Sequence, residues 1–280
     1  MTRFIGSSPR LAESNWVLLG VPMDFTVSRK AGSRFGPESI RAESHNLETY
    51  SPVQGKDLSE VRFYDLEDVS FPFGDARQAL ATVEAVAKRL IKRGKRIAGL
   101  GGEHLVSLGL IKAASLFWPE LRVVHLDAHA DLRKNLRGGN LNHSSVMRHV
   151  AETCLAETRR LHQFGIRSGC AEELEWGREH TCLHLHEVLD PLKSSLDELR
   201  PHPVYVSIDI DVVDPAAAPG TGTPEACGIT SRELVEALHC MAPLNIVGFD
   251  LVEVAPDLDV NGITSALAAK CVREALIQWG

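Results

Sequence analysis

The chain of 280 residues is 44% hydrophobic and 24% charged, an average globular composition that excludes intrinsic disorder. Its formal net charge of -7 argues against a protein that binds nucleic acid by covering phosphates. No apolar run reaches the roughly 18 residues needed to cross a bilayer, and residues 1–10 lack a signal-peptide pattern. The six cysteines form no CxxC pair and are predicted to be reduced thiols. These features predict a cytoplasmic protein with no nucleic-acid or membrane partner.

Apolar runs alternate with helical patterns along the chain. In order, the predicted elements are strand Trp16–Val21, helix Gly36–Leu47, strand Val61–Tyr64, helix Ala76–Lys92, strand Arg96–Leu100, helix Leu105–Phe117, strands Leu121–Leu126, Arg160–Ile166, Val204–Ile210 and Asn245–Leu251, and helix Ile263–Gln278. This alternation predicts an α/β fold with three α/β/α layers around a mostly parallel central sheet. With no repeat or linker, we expect one domain over residues 1–280. Ligands of such sheets bind beyond the carboxyl ends of the strands.

Three polar segments follow predicted strands, namely Gly101–His104, His125–Asp131 and Ser207–Pro215. In an extended chain, residues two apart point to the same face, so the acidic and imidazole side chains of each segment are expected to project together. The six candidate metal ligands are His104, Asp127, His129, Asp131, Asp209 and Asp211. His125 shares their parity but lies one strand step further into the sheet, so we expect it to pack or to support a ligand.

The four aspartates of this cluster predict a bound cation. Two carboxylates about 4 Å apart repel by about 4 kcal/mol at an effective dielectric constant of about 20. Over all pairs the repulsion is on the order of 10 kcal/mol, which rivals the stability of a domain. A single acidic pair is often a solvated loop cap, but three such segments favour two divalent ions that match the charge of the aspartates. Carboxylate and imidazole donors without a thiolate suit Mn²⁺ better than structural zinc, and such a metal pair deprotonates water at neutral pH.

Several separate motifs occur in one order along nearly the whole chain. They are Gly20–Asp24, Ala31–Pro37, Gly101–His104, Asp127–Asp131, Ser207–Glu225 and Asp250–Pro256. In these motifs the chain resembles the ureohydrolase superfamily of arginase and agmatinase, and bacterial agmatinases in particular. The resemblance implies an arginase-like fold, homotrimeric or homohexameric assembly, and two Mn²⁺ per subunit on the six candidate ligands. It also implies that Glu253 pairs with the guanidinium of the substrate, that Thr223 lies near that group, and that His143 transfers protons.

A guanidinium is a resonance-stabilised cation and a poor electrophile, so its hydrolysis needs a strong nucleophile, a paired anion and a proton donor. The resemblance assigns these tasks to a metal-bridging hydroxide, Glu253 and His143. Arginases bind the α-amino group of their substrate through acids soon after a Gly-Leu-Arg segment, and the matching segment Gly165–Cys170 lacks them. The favoured substrate is therefore agmatine, which gives putrescine and urea.

Alternatives remain open for the substrate. A substrate with a carboxylate, such as 4-guanidinobutyrate, arginine or formiminoglutamate, would need a cationic clamp, for which Arg133, Arg137 and Arg148 are the candidates. The acids Glu172, Glu173 and Glu175 either attract a tail amine or form a solvated helix face. A non-catalytic homologue is disfavoured because the set of ligands is complete.

Two positions depart from the pattern of the superfamily. Glu103 replaces the more common aspartate beside His104, and we expect little consequence because the histidine is kept. Cys227 stands where a glycine is usual, although a cysteine takes a positive φ less readily. We read Cys227 as a tolerated small residue or a sign of altered loop geometry, in preference to an oxidation-sensitive thiol.

Overall fold

The computed structural model describes residues 2–135 and 139–280. Its strands are β1 Trp16–Val21, β2 Tyr50–Ser51, β3 Lys56–Asp57, β4 Phe63–Asp68, β5 Arg96–Gly101, β6 Arg122–Leu126, β7 Leu161–Ile166, β8 Cys182–Leu185, β9 Pro203–Asp209 and β10 Asn245–Val252. Its α-helices are α1 Gly36–Ser44, α2 Ala76–Ile91, α3 Val106–Ser115, α4 Val146–Thr153, α5 Ala171–His180, α6 Leu189–Leu199, α7 Ser231–Cys240 and α8 Ile263–Trp279.

Eight strands form one central sheet in the order β4-β1-β5-β10-β9-β6-β7-β8. Every pairing within it is parallel, while β2 and β3 form a separate antiparallel pair. Parallel strands need a crossover between them, which explains why helices separate them along the chain. The consecutive strands β5 and β6 are not neighbours in the sheet, because β10 and β9 lie between them. Strands from the first half of the chain and strands from its last third therefore lie side by side in the centre.

Both faces of the sheet are covered by helices. On β1, Val17 and Leu19 point into a core packed under α2, α3, α4 and α5, and Trp16 and Leu18 point into a core under α1, α6, α7 and α8. Strands buried on both faces read as continuous apolar runs, as β1 does. The predicted three-layer α/β/α fold with a mostly parallel sheet is therefore confirmed.

The structure also contains elements beyond the predicted ones. The helices α4 to α7, the edge strand β8 and the β2–β3 hairpin were not predicted, and the strand predicted from Val61 begins at Phe63 and continues to Asp68. Residues 58–60 form a 3-10 turn that ends at Val61, which delays the start of β4. Among the described residues, no helix combines the length and apolar character needed to cross a membrane.

Candidate metal centre and active site

The three polar segments meet at the carboxyl edge of the central strands β5, β9 and β6, but not along extended chain. β6 ends at Leu126, and Asp131 has a left-handed backbone with φ 53°. β9 ends at Asp209, and Asp211 lies in a 3-10 turn in which its backbone N–H donates to the Asp209 carboxylate at 2.9 Å. The side-chain alternation of an extended chain therefore predicts correctly that these side chains lie together. The structure brings them together through turns after the strands instead.

His104 lies among three carboxylates. Its Nδ1 is 3.0 Å from Asp127 Oδ2, 3.2 Å from Asp131 Oδ2 and 3.3 Å from Asp209 Oδ2. All four side chains are buried, and His104 Nδ1 has no hydrogen bond of acceptable geometry. This arrangement places one nitrogen and three oxygens around a common point.

The protonation of His104 follows from the groups behind it. Its Nε2 lies 3.0 Å from the Ser207 hydroxyl, and that hydroxyl donates to Asp250 Oδ1 at 2.7 Å. Since the serine proton is used on Asp250, Ser207 accepts from His104 Nε2–H. Nδ1 then faces the three carboxylates; burial disfavours the charged ring, but these carboxylates outweigh it and raise the pKa of His104 well above its usual value, so Nδ1 is protonated in the chain alone. An unprotonated Nδ1 that faces three carboxylates is stable only with a cation between them, so these residues fit a metal ion.

A second group of donors surrounds His129. Its Nδ1 is 2.9 Å from Asp211 Oδ2 and 3.6 Å from Asp127 Oδ1. Asp211 Oδ2 is buried and has no hydrogen-bond partner. Asp127 thus presents one oxygen to the His104 group and the other to the His129 group, as expected of a carboxylate between two adjacent ions.

The electrostatics of the cluster agree with a cation site. Burial and the charge of Asp127 raise the pKa of Asp131 to about 7, and burial and Asp211 raise the pKa of Asp209 well above its usual value. Burial disfavours the charged form of His129, but Asp211 and Asp127 outweigh it and raise its pKa to about 12. In the chain alone, imidazolium protons therefore offset the clustered carboxylates, which is the task a divalent ion performs better.

His125 supports Asp127 from behind, as expected. The Gln163 amide oxygen accepts from Thr181 at 3.2 Å, so its nitrogen faces His125 Nδ1 at 3.0 Å and donates to it. His125 Nε2 then carries the proton and donates to Asp127 Oδ2 at 2.8 Å. Gln163 was not predicted for the site, and its only signal in the sequence is an amide inside an apolar strand.

Glu253 lies just past the end of β10, in the centre of the sheet. Its carboxylate accepts from the backbone N–H of His104 at 2.8 Å, and its own backbone is left-handed with φ 64°. Burial, with the nearby charge of Glu103, raises the pKa of Glu253 to about 8. This geometry ties the end of β10 to the segment that carries His104.

A cavity of about 160 Å³ opens over the cluster, and His129, Asp131, His143 and Thr223 lie on its wall. The His143 backbone N–H donates to Thr26 Oγ1 at 3.0 Å, and its Nε2 is 3.0 Å from the Ser28 hydroxyl. Burial and the charges of His129 and His104 lower the pKa of His143 to about 4. Of the three residues predicted to act on the substrate, His143 and Thr223 line this cavity and Glu253 does not.

The outer end of the cavity carries an ion pair. Glu173 is buried, and its carboxylate accepts from Arg133 Nε at 3.0 Å and from the Cys170 backbone N–H at 2.8 Å. Glu172 and Glu175 are exposed on α5. The candidate clamp Arg137 lies outside the described residues.

Cys227 adopts the backbone that a glycine at this position would favour. Its φ is 64°, in the left-handed region, and its thiol is exposed and free. The cysteine is thus accommodated in a left-handed turn of the loop between β9 and α7.

Comparisons with known proteins agree with this geometry. The model of the Arginase family matches residues 14–278. The agmatinase of Bacillus anthracis is 48% identical over 279 residues, which are 99% of this chain and 96% of that protein. The structure of the agmatine ureohydrolase of Thermoplasma volcanium has a TM-score of 0.91 at 32% identity, covering 100% of this chain and 94% of that one. Proclavaminate amidino hydrolase from Streptomyces clavuligerus has a TM-score of 0.90 at 33% identity, covering 100% and 97%.

Proposed function

Since the chain belongs to the arginase family, as the sequence resemblance predicts, we propose that it hydrolyses agmatine to putrescine and urea. The observation that carries the proposal is the identity of 48% to an agmatinase over 99% of the chain. The arginase-like fold is confirmed by the structural relatives. The cluster of aspartates and histidines under a small cavity supports a hydrolytic reaction there.

The six candidate ligands would hold two Mn²⁺ per subunit. The donor set supports this proposal, since it contains only carboxylate oxygens and imidazole nitrogens, which suit manganese. His104, Asp131 and Asp209 would serve one ion, His129 and Asp211 the other, and Asp127 both. When bound, the ions would supply Lewis acidity and a water molecule of lowered pKa.

The chain's own residues would bind the substrate and move its proton. Glu253 would pair with the guanidinium and Thr223 would contact it, which holds the central carbon for attack by water. As the new C–O bond forms, the C–N bond to the aliphatic amine breaks, and that nitrogen needs a proton to leave as putrescine. His143, held through Thr26 and Ser28, would transfer this proton.

The outer end of the cavity favours a substrate without a carboxylate. Arg133 is paired with Glu173, and Arg148 is paired with Glu152 and lies over the ring of Trp176. Each described candidate for a carboxylate clamp thus already has an anionic partner. Glu173 is in turn neutralised by Arg133, so among the described residues this end of the cavity offers no unpaired arginine to a substrate carboxylate, which favours agmatine over the carboxylate-bearing substrates.

A substrate panel tests this proposal. Product release is measured with agmatine, arginine, 4-guanidinobutyrate and formiminoglutamate on the Mn²⁺-loaded enzyme. We expect kcat/KM for agmatine to exceed the others by about 100-fold or more, because a mispaired charge in the cavity costs several kcal/mol. A higher value for any carboxylate-bearing substrate would replace agmatine as the substrate.

Variants at the cluster test the catalytic site. Asp127→Ala and His129→Ala should abolish urea release while circular dichroism shows a retained fold. Asp197→Ala is the matched control, since its side chain is 95% exposed and is not one of the candidate ligands. Urea release by the two cluster variants at the rate of the control would contradict the assignment.

We also propose that residues 1–280 form a single domain, that the subunits assemble as a homotrimer or homohexamer, and that the enzyme works in the cytoplasm. The six cysteines form no disulfide, which supports a reducing compartment. Light scattering on the purified protein tests the assembly, which requires a mass that is a multiple of three chains.

A further inference from the structure

A second cluster of metal-binding side chains lies at the other end of the strands. His162 on β7, Cys182 on β8 and Glu198 near the end of α6 each offer one ligand atom, and these atoms lie within 4.8 Å of one another. We call these three residues the edge cluster. In the sheet register His162 is opposite Val124, three residues before Asp127, which places it roughly 10 Å along the strand direction from the aspartates.

His162 is the observation that points to a ligand. Its side chain is 1% exposed, yet neither Nδ1 nor Nε2 has a hydrogen-bond partner. A buried imidazole normally has its polar atoms satisfied, so a partner outside the protein chain explains this one. Burial lowers the pKa of His162 to about 4, which keeps the ring neutral and one nitrogen free to coordinate.

The distance from His162 to Glu198 also fits a shared ion. Nε2 and Oε1 are 3.7 Å apart, beyond hydrogen-bond distance. Two atoms that each lie about 2.0–2.2 Å from the same zinc ion in tetrahedral geometry are separated by about 3.5 Å. The pair therefore needs little movement to bind one ion.

Cys182 supplies the donor that distinguishes the edge cluster from the aspartate site. Its thiol is free and partly buried and donates to the Arg159 carbonyl at 3.4 Å. Burial raises the pKa of Cys182, so the metal would have to displace its proton. A thiolate and the Glu198 carboxylate together cancel the charge of a divalent ion. The neutralised site would therefore not be repelled by the nearby charge of Arg122.

We propose that the edge cluster binds one divalent cation with affinity for thiolates, Zn²⁺ by its ligand types, separately from the manganese site. Imidazole, thiolate and carboxylate are the ligands that zinc accepts, and three of them leave a fourth position for water. The ion would join β7, the edge strand β8 and α6, so it would hold the last strand of the sheet in place.

Cobalt absorption tests the proposal on the full-length protein. A Co²⁺–thiolate bond gives near-ultraviolet charge-transfer absorption, and the aspartate site has no thiolate, so only the edge cluster contributes. We expect this absorption in the wild-type protein and its loss in Cys182→Ser, with about one bound Co²⁺ fewer per chain. Cys240→Ser is the matched control, because Cys240 is also a partly buried free thiol whose pKa burial raises.

Two further measurements distinguish loss of the edge cluster from loss of the fold. Retained urea release by Cys182→Ser shows that the variant is folded, and Glu198→Gln, at an exposed side chain, provides a second variant expected to weaken Co²⁺ binding by about tenfold or more. Absence of the absorption in the wild-type protein, or its persistence in Cys182→Ser, would overturn the proposal.

Discussion

At the scale of single residues, Glu103 connects the segment that carries His104 to His143, the candidate for proton transfer. Its carboxylate accepts from Thr26 N at 2.7 Å and from Thr26 Oγ1 at 2.8 Å, and that hydroxyl accepts from the His143 backbone N–H. Glu103 is buried, and burial raises its pKa to about 7. Glu103 therefore holds the loop that contacts His143, although we expected little consequence from this departure.

We predict that Glu103→Asp lowers kcat for agmatine by about tenfold with a smaller change in KM. The aspartate is one methylene shorter and loses its bonds to Thr26, and a hydrogen bond to a charged group contributes about 1.5–3 kcal/mol. Steady-state kinetics measures both constants, and Glu103→Gln, which keeps the length and one acceptor oxygen, should retain more activity. Equal kcat for Glu103→Asp and the wild type would show that His143 is positioned without this contact.

Much of the candidate site could be predicted from single residues and their spacing, because each group of candidate ligands lies at or just after the end of a buried strand. The sequence places Asp127 and Asp209 correctly for this reason, since parallel strands end at one edge. It does not reveal the left-handed backbone of Asp131, which depends on the tertiary path of the loop. Nor does it reveal Gln163 and Asp250 as partners, because such second contacts join strands that are far apart in sequence.

At the scale of elements, the site depends on how closely the ends of β1, β5 and β10 approach. Gly102 donates its N–H to Val21 O at 2.9 Å, and its carbonyl accepts from Glu253 N at 2.9 Å. A Cβ on Gly102 would lie 1.9 Å from the Met23 carbonyl oxygen, a backbone atom that cannot rotate away. Only glycine lets the β1 loop and the Glu253 turn meet across this residue.

We predict that Gly102→Ala destabilises the protein by about 3 kcal/mol and lowers the melting temperature by roughly 6–12 °C. It should also weaken metal retention, since the displaced segment carries His104. Calorimetry and metal analysis after dialysis measure the two effects. Gly177→Ala on α5 is the control, because its Cβ would meet only flexible leucine side chains; equal losses in both variants would contradict a specific role for the close approach.

The elements that sequence predicts best are the ones buried on both sides. All seven predicted strands lie in the sheet, and six of them are almost entirely buried, whereas β4 at the sheet edge is only partly buried. The eighth strand, β8, is four residues long and only partly buried, so it lacks a clear pattern. The helix α5 combines several charged residues with Gly177, which weakens its apolar stripe.

At the scale of the whole molecule, the net negative charge comes partly from the aspartate cluster and partly from acidic residues elsewhere in the chain. Two bound divalent ions would change the formal charge from -7 to about -3, so part of the excess belongs to the site. The composition argues against nucleic-acid binding and the alternation of elements predicts the fold class, but neither reveals the contacts that join distant parts of the chain. The bond from the Ser51 hydroxyl to Glu274, across 223 residues, is one of these.

Glu274 joins the β2–β3 hairpin, α7 and α8 into one unit. Burial acts against its ionisation, but hydrogen bonds from Gln54, Arg273, Ser51 and His239 prevail and lower its pKa to about 2. The ordinary pKa of a glutamate is about 4.3, so the folded state binds this proton less readily than the unfolded chain. The resulting stabilisation is complete above about pH 5 and is lost as the pH falls toward 2.

We predict that Glu274→Gln lowers the free energy of unfolding by about 3 kcal/mol at pH 7 and by progressively less as the pH falls from 5 to 2. The physical reason is that protonation of Glu274 in the wild type removes the same charge that the substitution removes. Denaturant unfolding of both proteins at a series of pH values measures the difference, and effects of pH on the metal site cancel in it. Glu236→Gln, at a side chain that is 44% exposed, is the control. A Glu274→Gln difference that stays constant down to pH 2 would show that shape, not charge, carries the stabilisation.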